Sequence, residues 1–161
     1  MLGYLPNSIV DGVGIRQVFF LAGCPHHCKG CQNPQSWDLG GGEEILPVDV
    51  CQKALASPHD VTFSGGEPFI QDRELLGVVA TLKDMGKNIW VYTGFTWEVL
   101  IEDIWASKIL ANIDVLVDGR FEENERNPNL RFRGSANQRI IDVQKSIREG
   151  KVVLWGETDD C

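Results

Sequence analysis

The feature that most constrains the fold is an alternation of short apolar runs with helical patterns along 161 residues. Helical patterns at residues 47–57, 72–85 and 96–105 separate the first four apolar runs. Strands that alternate with helices predict βαβ units with right-handed crossovers and a mostly parallel sheet. The six apolar runs, rich in Val, Ile and aromatic residues, predict strands at residues 15–21, 61–63, 88–92, 113–117, 138–143 and 151–155.

The length of the chain limits how such a sheet closes. A complete eight-stranded βα barrel usually needs about 250 residues, and rarely fewer than about 200, so a chain of 161 residues is too short for one. No linker, repeat or low-complexity segment divides the sequence. We therefore expect a single α/β domain over residues 1–161 with one core.

The charge balance bears on the class of partner. Asp and Glu number 23 against 15 Lys and Arg, a formal net charge of −8, which opposes the phosphate neutralisation that drives nucleic-acid binding. No apolar run is long enough for a membrane span, and the first residues, MLGYLPNSIVDG, lack the basic and apolar parts of a signal peptide. We expect a soluble, cytoplasmic protein that binds neither nucleic acid nor membrane.

A loop with three cysteines follows the first predicted strand. Residues 23–34 have the sequence GCPHHCKGCQNP, so gaps of three and two residues separate Cys24, Cys28 and Cys31. Cys51 and Cys161 stand apart, and such an odd, clustered set is unlike the disulfide framework of a secreted domain. The spacing favours metal chemistry.

Zinc and iron fit this loop to different extents. Structural zinc takes four ligands, typically from two separated pairs, and the sequence offers no second pair. A cubane iron–sulfur cluster ordinarily takes four cysteines, so three leave one iron open, and an open coordination position is where a metal catalyses. The pattern favours an iron–sulfur cluster, with a non-catalytic, zinc-stabilised interaction module as the alternative.

Other unusual residues follow the next three predicted strands. Ligands of parallel sheets collect at the carboxyl ends of the strands, so we expect these residues to share a site with the cysteine loop. They are the pairs Gly65 and Gly66, Thr93 and Gly94, and Asp118 and Gly119.

The cysteine loop, followed by Asn33 and Pro34, resembles the signature of the radical S-adenosylmethionine enzymes, especially the glycyl-radical activases. The sequence departs from the broad pattern at Gly30, where an aromatic residue commonly precedes the third cysteine, and at Gln32. TFSGGEP at 62–68 resembles the GGE(P) element of the same superfamily. Three further segments resemble the branch that activates anaerobic ribonucleoside-triphosphate reductases: VYTG at 91–94, VDGRF at 117–121 and FRGSANQRIIDV at 132–143.

The resemblance implies an open, partial (β/α) barrel of the radical S-adenosylmethionine type and a concrete reaction. Cys24, Cys28 and Cys31 would hold a [4Fe-4S] cluster whose open iron chelates the amino and carboxylate groups of S-adenosylmethionine. One electron, from a donor such as flavodoxin, then yields methionine and a 5′-deoxyadenosyl radical. In this branch the radical takes a hydrogen atom from a glycine of the reductase, which would complete a groove on the cluster side of the sheet. A pyruvate formate-lyase-type activase, or a radical enzyme acting on a small molecule, is the alternative within the superfamily.

The resemblance also implies which residues bind the cofactor. Gly65, Gly66 and Glu67 would hold the methionine amino group, with the Glu67 carboxylate accepting from the ammonium. Asp118 would contact the cofactor or a nearby cation, and the alternative is that it caps a turn with Gly119.

Candidates around these residues are less specific. Backbone groups of residues 30–32 would contact adenine, because a glycine at position 30 cannot stack on a base. Arginine suits bidentate recognition of carboxylates, so we expect either Arg131 or Arg133 to hold the methionine carboxylate or an acidic partner surface. Trp37 is the best candidate for shielding the cluster, and no pattern marks His26, His27 or His59 as ligands.

Overall fold

Six strands form one open sheet whose spatial order follows the chain. They are β1 (Gly3–Ser8), β2 (Arg16–Leu21), β3 (Asp60–Gly65), β4 (Ile89–Tyr92), β5 (Val115–Asp118) and β6 (Arg139–Asp142). Strands β2 to β5 are parallel, and the edge strands β1 and β6 pair antiparallel with β2 and β5. This computed structural model describes residues 1–156. It confirms an α/β fold with a mostly parallel sheet, and the sheet does not close into a barrel.

In residues 1–156, five α-helices accompany the sheet: α1 (Pro47–Ala56), α2 (Asp72–Asp84), α3 (Trp97–Glu102), α4 (Ile104–Leu110) and α5 (Val143–Glu149). Helix α2 buries Leu75, Val78, Val79 and Leu82, which recur at the three- and four-residue spacings of one helical face. The helices predicted at 47–57 and 72–85 therefore match α1 and α2 to within one residue. Within residues 1–156, no helix is both long enough and apolar enough to cross a membrane.

The helix predicted at residues 96–105 is interrupted at Asp103. This residue has extended backbone angles, φ −85° and ψ 131°, and its side chain accepts from the amides of Trp105 and Ala106. An Asp at that position is a favourable N-cap, so it ends α3 and begins α4 within one residue.

The strand predicted at residues 151–155 is wrong. Only Leu154 forms an isolated bridge, to Ile141, while Val153 exchanges hydrogen bonds with Ser146 of α5 and Asp142. In this segment Val153 is buried and Val152 and Leu154 pack against the core on the helix side of the sheet. Trp155 packs against Trp90 on the opposite face. In place of that predicted strand, the sheet contains β1, an edge strand with three exposed residues. The sequence of β1, GYLPNS, shows no apolar alternation.

The two faces of the sheet carry different layers. One face packs against the helices in a large core that includes Phe19, Phe63 and Leu116. The opposite face carries Trp90, Val115 and Val117, and further apolar side chains pack on them from residues that follow β5 and β6, namely Phe132 and Trp155.

Buried Arg16 ties the first residues of three strands together. Its guanidinium donates to Thr62 Oγ1 at 2.8 Å and to the carbonyls of Val61 and Asn88 at 2.6 and 2.9 Å, and lies 5.5 Å from the Trp90 ring centroid. Burial lowers the pKa of Arg16 to about 10. The polar contacts at this end fix the strands whose opposite, carboxyl ends form the site.

Candidate functional site

Hydrogen bonds join the segments at the carboxyl ends of β2, β3, β4 and β5, and the Glu67 side chain links the loop after β3 to the loop after β4. The amides of Gly66 and Glu67 donate to the carbonyls of Leu21 and Gly23 at 2.8 and 2.7 Å, which joins the loop after β3 to the start of the cysteine loop. The amide of Thr93 donates to Val117 at 2.9 Å, which joins the loop after β4 to β5. These strand ends therefore lie at one edge of the sheet, beside the start of the cysteine loop.

The cysteine loop is closed at its base. The amide of Gly23 donates to Ser36 O at 2.7 Å, and the amide of Cys24 donates to Trp37 O at 3.2 Å. The segment that returns from the loop thus runs beside the segment that enters it, and the residues between them, 25–35, include Cys28 and Cys31.

The three loop cysteines are partly exposed free thiols. The amide of Cys31 donates to Cys28 O at 3.1 Å, and the amide of Asn33 donates to Cys31 Sγ at 3.4 Å. Burial and the nearby Glu67 charge raise the pKa of Cys24, which a bound metal would overcome because metal ligation deprotonates a thiol. Over residues 1–156, no three His, Cys, Asp or Glu side chains are already gathered as a metal site.

One further cysteine, Cys51, lies away from this loop: it is buried in α1 and belongs to the core against the sheet. Cys161 lies outside the described residues. Among residues 1–156, the thiols of the loop are therefore those of Cys24, Cys28 and Cys31.

The Glu67 carboxylate is fully buried and both of its oxygens are bonded to the protein. Oε1 accepts from the Phe69 amide at 3.1 Å and from Thr93 Oγ1 at 2.8 Å. Oε2 accepts from the Gly94 amide at 2.8 Å and lies 2.7 Å from His26 Nε2. The predicted role of Glu67 was acceptance from a ligand ammonium, whereas here it joins the loops after β2, β3 and β4.

His26 occupies a closely fitted socket. Its side chain is 3% exposed, and its ring meets Phe95 edge-on with centroids 4.6 Å apart. A Cβ at Gly94 would lie 2.4 Å from the ring, so only glycine fits there. The neighbouring His27 instead stacks on Trp37 at 4.6 Å. Sequence analysis assigns His26 no role, because neither its spacing nor its residue type distinguishes it from His27.

Asp118 is also buried and bonded to the protein. It accepts from the Trp97 amide at 2.8 Å and from Arg139 Nη2 and Nε at 2.5 and 3.0 Å. Arg139 reaches Glu98 as well, at 2.8 Å; these carboxylates raise the pKa of Arg139, and the guanidinium lowers the pKa of Glu98. Asp118 thus satisfies the first amide of α3 and anchors β6 through Arg139.

Gly65 and Gly66 allow close backbone packing. Gly65 has φ +98°, and a Cβ there would lie 2.5 Å from the Leu21 amide nitrogen. A Cβ at Gly66 would lie 2.3 Å from Gly23 O. Gly30, in the cysteine loop, also has a left-handed backbone with φ +75°. The glycines therefore let the turn after β3 lie directly against the residues that lead into the cysteine loop.

A groove of about 820 Å³ lies beside the cysteine loop. Cys31, Gln32 and Gly65 line it, together with Ser64 and Tyr92 of the sheet. Its opposite wall is the segment 126–134, which includes Arg126, Arg131 and Arg133. The groove is therefore lined by the predicted cluster ligand Cys31 and by the predicted cofactor contacts Gln32 and Gly65. Both candidate arginines line it as well.

Comparison with known proteins agrees with this arrangement. A family model described as "4Fe-4S single cluster domain" matches residues 10–141. A protein of Pasteurella multocida (strain Pm70) named anaerobic ribonucleoside-triphosphate reductase-activating protein is 36% identical over 148 residues, covering 85% of this chain and 93% of that protein. The chain belongs to the family of anaerobic ribonucleoside-triphosphate reductase-activating proteins.

Two further relatives carry the same name. The one from Escherichia coli (strain K12) is 31% identical over 145 residues, covering 84% of this chain and 93% of that protein. The one from Enterobacteria phage T4 is 36% identical over 145 residues, covering 84% and 88%. The 4Fe-4S match includes all the site residues predicted from the sequence, from Cys24 to Asp118.

Proposed function

We propose that this protein activates anaerobic ribonucleoside-triphosphate reductase by forming a glycyl radical on it, using a [4Fe-4S] cluster and S-adenosylmethionine. One observation carries the proposal: Cys31 of the three-cysteine loop lines the same groove as Gln32 and Gly65, in a chain of the reductase-activating family. In this proposal the sheet is the open, partial barrel of a radical S-adenosylmethionine enzyme.

The bound groups supply the radical chemistry. When bound and supplied with one electron, the cluster and S-adenosylmethionine would together supply reductive cleavage of the cofactor to methionine and the radical that removes a hydrogen atom from a glycine α-carbon. The residues of the chain bind and orient these groups and restrict the entry of water. Cys24, Cys28 and Cys31 are the proposed cluster ligands, and three thiolates leave one iron for the cofactor.

The cysteine loop fits a cluster by its donor chemistry. Its three thiols are free and partly exposed, and Cys31 Sγ accepts a backbone amide hydrogen bond from Asn33. Hydrogen bonds to sulfur are among the means by which proteins tune cluster potentials. The loop therefore combines ligands with a sulfur-directed donor, as a cluster site requires.

The cofactor contacts are assigned to backbone groups. We place the methionine amino group at Gly65 and Gly66, and adenine at the backbone of Gly30, Cys31 and Gln32, because glycine lets a ligand approach the main chain closely. The carboxylates of Glu67 and Asp118 serve this site by holding its loops, since both are buried and already bonded to the protein.

The groove suits a polypeptide segment of the reductase. Ile9 and Val10 are 72% and 68% exposed and line it together with exposed Arg126 and Arg131. Exposed apolar side chains beside arginines match a peptide with apolar and acidic residues. Arg133 is held by Gln138 O at 2.5 Å, so Arg131 is the better candidate to reach the partner or the methionine carboxylate.

The proposal includes an electron donor and a compartment. A one-electron donor such as flavodoxin would reduce the cluster from outside the groove. Reduced thiols at Cys24, Cys28 and Cys31 suit the cytoplasm, where disulfides are rare.

Electron paramagnetic resonance on anaerobically reconstituted, dithionite-reduced protein tests the proposal, with iron and zinc analysis beside it. We expect iron, a [4Fe-4S]⁺ signal that S-adenosylmethionine perturbs, and a glycyl radical on the cognate reductase when all components are present. Stoichiometric zinc without that signal would favour the structural zinc module. A radical on pyruvate formate-lyase but not on the cognate reductase would overturn the partner.

A further inference from the structure

We propose that His26 is a positioning residue that locks the cysteine loop to the Glu67 carboxylate, and that this contact sets the spacing between the cluster ligands and the Gly65–Gly66 backbone. The inference deepens the proposed function and rests on it where S-adenosylmethionine is concerned. It assigns a role to His26, which lies between the proposed cluster ligands Cys24 and Cys28 and is not itself a proposed ligand.

The socket shows that the position of His26 is specified from several sides. Glu67 Oε2 lies 2.7 Å from Nε2, Phe95 meets the ring edge-on, and Gly94 leaves no space for a Cβ. The Nε2 contact falls on the same oxygen that accepts from the Gly94 amide. A histidine that merely filled surface space would need none of these contacts.

The contact matters because of what lies at its two ends. His26 belongs to the cysteine loop, while Glu67 follows directly on Gly65 and Gly66 and also binds Thr93 and Gly94. Among the four partners of the Glu67 side chain, His26 alone comes from the cysteine loop. Without it, Glu67 loses its side-chain link to the thiol-bearing loop, while the backbone bonds of the Gly66 and Glu67 amides to Leu21 and Gly23 remain.

Neighbouring residues of the loop provide a matched set of variants. His26→Asn keeps a polar side chain but is too short to reach Glu67, whereas His26→Gln places an amide donor near the position of Nε2. His27→Asn makes the same replacement one residue later, at a ring that stacks on Trp37 and whose φ of +47° an Asn tolerates.

Two measurements are made on the full chain after anaerobic reconstitution. The first is the S-adenosylmethionine concentration that half-perturbs the [4Fe-4S]⁺ resonance. Loss of a hydrogen bond to a charged group corresponds to a change of about tenfold or more, so we expect at least that increase for His26→Asn. For His26→Gln and His27→Asn, we expect the half-perturbing S-adenosylmethionine concentration to stay within about threefold of that of the parent protein. The iron content and the resonance without cofactor should match the parent in all three variants.

The second measurement is amide hydrogen exchange over residues 24–31 and 93–95, which needs neither cofactor nor activity. We expect His26→Asn to accelerate exchange in both segments by about tenfold or more, with little change in the other two variants. Equal exchange in His26→Asn and His27→Asn would overturn the positioning role, whatever metal the preparation holds. Unchanged cofactor binding despite faster exchange would reduce the contact to a structural one and also overturn it. A parent protein without iron but with the predicted exchange pattern would instead count against the proposed function alone.

Discussion

The Glu67 carboxylate offers the sharpest test of how the strand ends are held together. Glu67→Gln preserves the shape of the side chain and replaces one oxygen by an amide nitrogen, which only donates. In the parent protein, Glu67 Oε1 accepts from the Phe69 amide, and Oε2 accepts from the Gly94 amide. In either orientation of the new amide, its nitrogen therefore faces a backbone N–H that cannot turn away.

The magnitude follows from that mismatch. A buried donor without an acceptor costs about 1–3 kcal/mol, and the surviving hydrogen bonds lose the additional strength that an ionised acceptor gives. We expect Glu67→Gln to lower the free energy of unfolding by about 2–3 kcal/mol, a large part of the stability of a typical domain. Urea unfolding of the reduced chain, followed by tryptophan fluorescence, measures this difference.

Glu98→Gln is the matched control. The Glu98 side chain pairs with Arg139 but is 60% exposed, so solvent screens the pair and its loss should cost no more than about 1 kcal/mol. If Glu67→Gln stayed within about 0.5 kcal/mol of the parent protein, the carboxylate would not be holding the loops. Equal losses in the two variants would contradict the argument from burial.

Three further predictions concern the same strand ends. Gly65→Ala should destabilise the fold by about 2 kcal/mol or more, because φ is +98° and the new Cβ meets Leu21. As the control in the same unfolding assay, Gly77→Ala on the open surface of α2 should stabilise the fold by about 0.5–1 kcal/mol. Asp118→Asn should cost about 2 kcal/mol by weakening its bonds to Arg139 and the Trp97 amide, and a cost near zero in thermal or urea unfolding would contradict the ion-pair account. Cys28→Ala should lose the cluster absorbance after reconstitution and Cys51→Ala should retain it, whereas equal loss in both would refute the assignment of ligands to the loop.

The parts of the site that the sequence predicts are local in the chain. The spacing of Cys24, Cys28 and Cys31 lies within eight residues, and the pair Gly65 and Gly66 follows its strand directly. The partners of Glu67 are not predictable in this way, because Thr93 and His26 lie 26 and 41 residues away. Only the register of three parallel strands brings them to one carboxylate, and the sequence does not state that register.

The fold shows the same division between local and distant information. Strands β2 to β5 are buried in a parallel sheet, and their apolar runs predict them. Strand β1 pairs at an edge and leaves three residues exposed, so it carries no apolar pattern. Residues 151–155 have a strand-like composition, but the hydrogen bonds between Val153 and Ser146 hold them against α5, a tertiary contact that overrides β propensity.

The two buried carboxylates act on the same segment from opposite sides. Glu67 accepts from the Gly94 amide, and Asp118 accepts from the Trp97 amide, so residues 94–97 are fixed both toward β3 and toward β5. This segment includes Gly94 and Phe95, which form the socket for His26. Glu67 and Asp118 are 0% and 1% exposed, and both are bonded to the protein. The acidic residues of both motifs therefore hold the loop after β4 against β5 and against His26 of the cysteine loop.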